Sequence, residues 1–107
     1  MKTQFLCEAL CETLNSDWKV DAIESGHPGY PQLEIEEGRR YLKIWKSTCY
    51  ESGASARSCW MFVDKETGAC YKPASHKAPA KGIRFYINQL ADAPETCDRY
   101  GNFLYLR

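Results

Sequence analysis

The sequence predicts a single α+β domain over residues 1–107, an antiparallel sheet of four or five strands with an N-terminal helix and one or two C-terminal helices. Three observations carry that expectation. Apolar residues near the start recur every three or four positions, and the middle of the chain alternates apolar with polar residues. Between two apolar-aromatic runs, Asp64-Lys65-Glu66-Thr67-Gly68 has the composition of a hairpin loop whose glycine takes the left-handed conformation. A chain of 107 residues with 44% hydrophobic and 13% aromatic content can fill one core without a metal or a disulfide.

Taken in order, Phe5, Leu6, Ala9, Leu10 and Leu14 mark a helix over residues 3–14, ended by Asn15-Ser16-Asp17. Trp18, Val20 and Ala22 then alternate with Lys19, Asp21 and Ile23, which predicts a short strand to about Glu24, followed by a Gly- and Pro-rich loop over residues 25–31. Leu33 and Ile35 alternate with acids. After a turn at Glu37-Gly38, Tyr41, Lys43 and Trp45 alternate with Leu42 and Ile44, so the two runs form an antiparallel hairpin with one wet face. Residues 51–56 read as a flexible loop, and Ser58 to Val63 as the central strand. The strand returning from the Thr67-Gly68 loop stops at Pro73, which has no N–H for a ladder. A basic connection bounded by prolines follows to Gly82. Ile83, Tyr86, Ile87 and Leu90 suggest a helix, Asp92 before Pro94 an N-cap for a last short helix, and residues 103–106 a closing strand or docked tail.

Six cysteines in a short chain invite a disulfide framework. The start of the chain argues otherwise, because Glu8 interrupts the apolar run a signal peptide requires, and no Cys-x-x-Cys pair gives a zinc spacing. The sequence therefore predicts buried free thiols, no metal, no cofactor and a cytoplasmic location. No stretch approaches the roughly 20 apolar residues of a membrane span.

A net charge of zero conceals a segregation. Residues 1–38 carry eight acids against two bases, whereas residues 39–84 carry ten bases against three acids. Such a block favours a polyanionic partner, unless folding lays the acidic third against it. Lys72, Lys77, Lys81 and Arg84 in the proline-bounded connection are spaced to follow a phosphate backbone. Tyr41, Lys43 and Trp45 on one strand face are the residue types that stack bases and meet phosphates in single-strand binding. Arg57 closes a Ser- and Gly-rich loop that resembles a phosphate cradle but lacks the Gly-Lys-Ser/Thr ending of a nucleotide loop. Paired carboxylates, Glu34 with Glu36 and Asp64 with Glu66, have no third ligand fixed by spacing, and His76 has no nucleophile at an elbow or helix start, so the chain is not expected to be an enzyme.

From Arg57 to Arg84 the chain holds Ser58, Val63-Asp64, Thr67-Gly68, Tyr71-Lys72-Pro73-Ala74 and Lys77-Ala78-Pro79-Ala80-Lys81, and near its end Asp98-Arg99-Tyr100-Gly101 with Leu104-Tyr105. In this it resembles a small, largely uncharacterised protein family of tailed bacteriophages and marine viruses, with His76 where that pattern has tryptophan. The resemblance implies a small viral accessory protein in the host cytoplasm. Two readings follow: binding of DNA or RNA through the basic segment, or a protein-binding module that inhibits or redirects a host protein through the acidic helix and a sheet edge.

Overall fold

A computed structural model describes residues 2–105. Helix α1 spans Lys2–Ser25. Strands β1 (Gly29–Glu37), β2 (Tyr41–Tyr50), β3 (Gly53–Ala54), β4 (Ser58–Asp64), β5 (Ala69–Tyr71) and β6 (Phe85–Tyr86) form one antiparallel sheet in the order β1-β2-β4-β5-β6, with β3 paired to β2. Helix α2 (Ile87–Asp92) and 3-10 turns at Pro94–Thr96 and Asn102–Leu104 complete the domain, which is the expected α+β class.

The central strands β2 and β4 are covered on both faces, and side-chain alternation decides what each face holds. Leu42, Ile44, Met61, Val63 and Cys70 point to the core, where Cys7, Leu10, Cys11 and Leu14 of α1 and Ile87 and Leu90 of α2 meet them. Tyr41, Lys43, Trp45 and Phe62 occupy the opposite face, and Tyr41 packs edge-on against Phe62 and Tyr71. A β-bulge at Ile44/Trp45 leaves Trp60 without a ladder partner, so Trp60 joins Met61 in the core. There it meets Trp18 of α1 at 6.1 Å between ring centroids and Phe103 at 5.2 Å.

Several boundaries differ from the sequence expectation. Helix α1 runs through residues 15–25 instead of yielding to a strand. Leu14, Trp18 and Ala22 keep its buried stripe, whereas Val20 and Ile23, on the supposed strand, are exposed. Asn15 does not end the helix because its amide is engaged elsewhere: Nδ2 donates to the Leu33 carbonyl at 3.1 Å and Oδ1 accepts from the Leu33 amide at 2.7 Å. Strand β1 begins at Gly29 and includes Pro31, which an edge strand tolerates. Residues 53–54 pair as β3 within the expected loop.

At the C-terminal end, residues 85–86 pair with β5 before the helix starts at Ile87, and exposed Ile83 lies outside it. Asp92 is the last residue of α2 and caps nothing; Ala93 precedes the 3-10 turn. Residues 103–105 are a docked turn with Leu104 buried, and Leu106 lies outside the described residues. The 64–68 hairpin matches the expectation, with Gly68 at φ 77° donating its amide to the Asp64 carbonyl at 2.9 Å. The Asp64 carboxylate accepts the amides of Glu66 and Thr67 at 2.9 and 3.1 Å. Burial pushes that carboxyl up, but these amides and Arg40 outweigh it and hold the group below the usual range.

The paired bonds from Asn15 to Leu33 are the polar link between α1 and the edge strand. Asn15→Ala is expected to lower stability by about 1–3 kcal/mol in denaturant unfolding, since it strands two backbone groups of β1. Ser16→Ala, one residue along on the exposed side, is expected to stay within about 0.5 kcal/mol.

Candidate functional site

The proline-bounded connection does not extend into solvent but folds back on the outer face of the sheet. Pro73 and Pro79 form a bridge, Ala74 donates to the Ala78 carbonyl at 3.0 Å, and Ala80 donates to the Lys72 carbonyl at 2.7 Å, so the loop is a closed hairpin with Ser75, His76 and Lys77 at its tip. Lys43 on β2 donates its Nζ to the His76 carbonyl and ties the tip to the sheet. The two basic features of the sequence, the strand face and the loop, therefore form one surface.

The aromatic residues of the strand face are nevertheless not a free stacking platform. Trp45 is only 9% exposed. Its Nε1 donates to Glu36 at 2.7 Å, and its ring carries the Arg57 guanidinium at 4.2 Å and the Lys43 ammonium at 5.1 Å. Tyr41 is half-buried between Phe62, Tyr71 and the Arg40 guanidinium. Arg57 is also drawn to carboxylates, lying 3.6 Å from Glu34 and 3.9 Å from Glu36. The two glutamates that resembled metal ligands thus serve as its counter-ions, and among the described residues no group of three or more His, Cys, Asp or Glu side chains is placed to hold a metal.

Arg84 has a structural use. Its Nε donates to the Leu104 carbonyl at 2.6 Å and its Nη1 to the carbonyls of Lys81 and Gly82 at 3.0 and 2.8 Å, locking the base of the loop to the C-terminal turn. Lys77 and Lys81 are exposed and enter no ion pair among the described residues. Lys77 shares a depression with Arg39, Arg40, Lys43, Tyr41 and Phe62, and with one acid, Glu36. Lys72 faces the other way, 4.7 Å from the Tyr105 ring, in a cavity it shares with Lys46, Arg99 and Tyr100. Sequence reasoning placed Lys46 with the strand face and gave Arg99, Tyr100 and Tyr105 no part in a site. The signal available was the Arg99-Tyr100 pair, a cation beside an aromatic, which lies far along the chain from the basic block and meets it only in the fold.

All six cysteines are free thiols, four of them buried, while Cys49 and Cys59 are half-buried. Cys59 lines one open cavity with His76, the arrangement nearest to a nucleophile and base, but among the described residues no hydrogen bond joins them. Burial pushes the Cys59 thiol up to about 11 and the Cys97 thiol up to about 12, so both stay protonated and poorly nucleophilic at neutral pH.

Charge is sorted by the sheet. Glu8, Glu12, Asp17, Asp21 and Glu24 are exposed along α1, on the core side, whereas Lys43 and Lys77 belong to the opposite side. The edge strand compensates the block locally, with Glu34 and Glu36 at Arg57 and Glu37 at Lys65 at 2.7 Å. The acids of α1 make no ion pair with the basic loop among the described residues.

A sequence profile described as a family of unknown function (DUF7717) matches residues 1–106, and the chain belongs to that family. No curated protein and no solved structure matches the chain.

Arg84→Met is expected to lower stability by about 2 kcal/mol, because three carbonyls lose a charged donor. Lys81→Ala is expected to leave stability within about 0.5 kcal/mol. Unfolding curves of the two variants separate an internal arginine from a solvent-facing lysine.

Proposed function

We propose that this member of the family is a non-enzymatic protein that binds DNA or RNA through its phosphates, on the side of the sheet opposite α1. The observation that carries the reading is the sorting of charge. Lys43, Lys77 and Lys81, with Lys72 at the loop base, lie on or beside a hairpin fixed to the sheet, and the acids of α1 are held away by the sheet itself. A loop closed by its own hydrogen bonds and by two prolines loses little entropy when a ligand arrives. Because Trp45 is covered, the contacts made on this face are chiefly with phosphates, and affinity depends on ionic strength more than on sequence. This reading accords with an accessory role in a viral host cytoplasm, the setting that the resemblance implies.

A second reading, a module that binds a host protein, is favoured by α1 and the sheet edge. Val20 and Ile23 are exposed one helical turn apart beside Asp17 and Asp21, and β1 leaves an edge of nine residues. A protein interface with an apolar centre responds little to salt, whereas phosphate contacts respond steeply.

Titration of the protein with labelled single- and double-stranded DNA and RNA separates the two readings. With about four phosphate contacts, affinity is expected to fall about a hundredfold between 50 and 200 mM salt. The Lys77→Glu/Lys81→Glu variant is expected to reduce the logarithmic salt slope by about 2. Absence of binding at low salt contradicts the nucleic-acid reading.

A further inference from the structure

The C-terminal turn and the base of the basic loop enclose a cavity of about 130 Å³ whose charge is one-sided. Lys46 of β2, Lys72 at the loop base and Arg99 before the last turn all line it, together with Ser58, Tyr100 and Tyr105. Among the described residues no carboxylate lines it. Asp98, next to Arg99 in the chain, already has its oxygens occupied: it accepts the amides of Tyr100 at 2.8 Å, Asn102 at 3.1 Å and Phe103 at 3.2 Å, which shapes the turn. Lys46 donates to the Arg99 carbonyl at 2.9 Å and is half-buried. Burial, and then the charge of Arg99, hold its ammonium below the ordinary lysine range, with Asp98 pulling the other way.

The cations are also arranged on rings. Lys46 Nζ stands 5.5 Å and the Arg99 guanidinium 5.7 Å from the Tyr100 ring centroid, and Lys72 Nζ stands 4.7 Å from that of Tyr105. Both rings remain open to solvent, Tyr100 at 70% and Tyr105 at 57% exposure. The cavity is open to solvent, and its three cations suit a phosphoryl group. A base attached to that phosphoryl group would lie outside the cavity, against an exposed tyrosine.

From this geometry we infer that the cavity takes the terminal phosphate monoester of a nucleotide unit, with Lys46, Lys72 and Arg99 around the phosphate, the Ser58 hydroxyl beside it, and the adjoining base on Tyr100 or Tyr105. The inference deepens the nucleic-acid reading by assigning a strand end to one named site. It rests on that reading for the strand but not for the free nucleotide. A dianionic end satisfies three converging cations better than an internal phosphodiester, which carries a single charge.

The test is a titration of the full chain with a 12-mer oligothymidylate in three forms, 5′-phosphorylated, 3′-phosphorylated and hydroxyl-ended, and with free thymidine monophosphate and inorganic phosphate. At least one phosphorylated strand is expected to bind about tenfold more tightly than the hydroxyl-ended strand. Arg99→Gln is expected to abolish that advantage, and Tyr100→Ala to weaken the phosphorylated strand by about tenfold, the worth of one base stack. Circular dichroism of each variant guards against misfolding, and the hydroxyl-ended strand serves as an internal control because its contacts lie on the loop. Equal affinity for all three strands, unchanged in Arg99→Gln, overturns the terminal-phosphate site and leaves the nucleic-acid reading standing. Binding of thymidine monophosphate, lost in Arg99→Gln, without binding of any strand supports the site and overturns the nucleic-acid reading. Binding of none of the five ligands overturns both.

Discussion

The structure depends on the alternation of β2 and β4, which sends Leu42, Ile44, Met61 and Val63 to one face of the sheet and Tyr41, Lys43, Trp45 and Phe62 to the other. Both sets contain large apolar surface, so neither face can be left to water. The first set is covered by α1 and α2, which are long or apolar enough to do so. The second has only the polar connection between β5 and β6 to cover it, and that connection is short, proline-bounded and basic. The positive charge is on this face because the segment that must close it carries that charge.

This arrangement explains how a chain of zero net charge keeps two sides of opposite sign. Strand β1 lies next to β2 in the sheet, and its acids reach Arg57 and Lys65 across the ladder. They quench the part of the block nearest the edge, and the exposed Arg57–Glu34 pair contributes little to stability. Loop lysines lie beyond that reach. Arg84 and Lys46 instead spend their donors on carbonyls of the C-terminal turns, so part of the basic block is used to hold the loop and tail in place. Lys43 is likewise bonded to the His76 carbonyl, whereas Lys77 and Lys81 enter no ion pair among the described residues.

Much of the fold was legible because it rests on local chemistry. The 64–68 hairpin needs one glycine with positive φ and one aspartate to collect amides, and both are visible in five residues. The strands of the first hairpin announce themselves by alternation. Helix α1 was truncated in the reading because Asn15-Ser16-Asp17 looks like a stop, and nothing within the segment shows that Asn15 reaches a strand eighteen residues away. The same limit applies to the site. Tyr41, Lys43 and Trp45 were read onto one strand face, where the structure places them, but Arg57, read as part of a separate loop, meets Trp45 only in the fold, and the basic loop is seated on the same face. Burial of Trp45 beneath two cations, the internal bonding of Arg84, and the meeting of Lys72 with Lys46, Arg99 and two tyrosines are long-range facts that no spacing encodes.

The central claim is that the sheet separates an acidic protein side from a phosphate-binding side. Backbone amide chemical shifts followed during titration with a short oligonucleotide at low salt test it directly, residue by residue. The account predicts perturbations concentrated in residues 73–82 and in Lys43, with α1 unchanged. Perturbations centred on α1 and β1, or none anywhere, would contradict it.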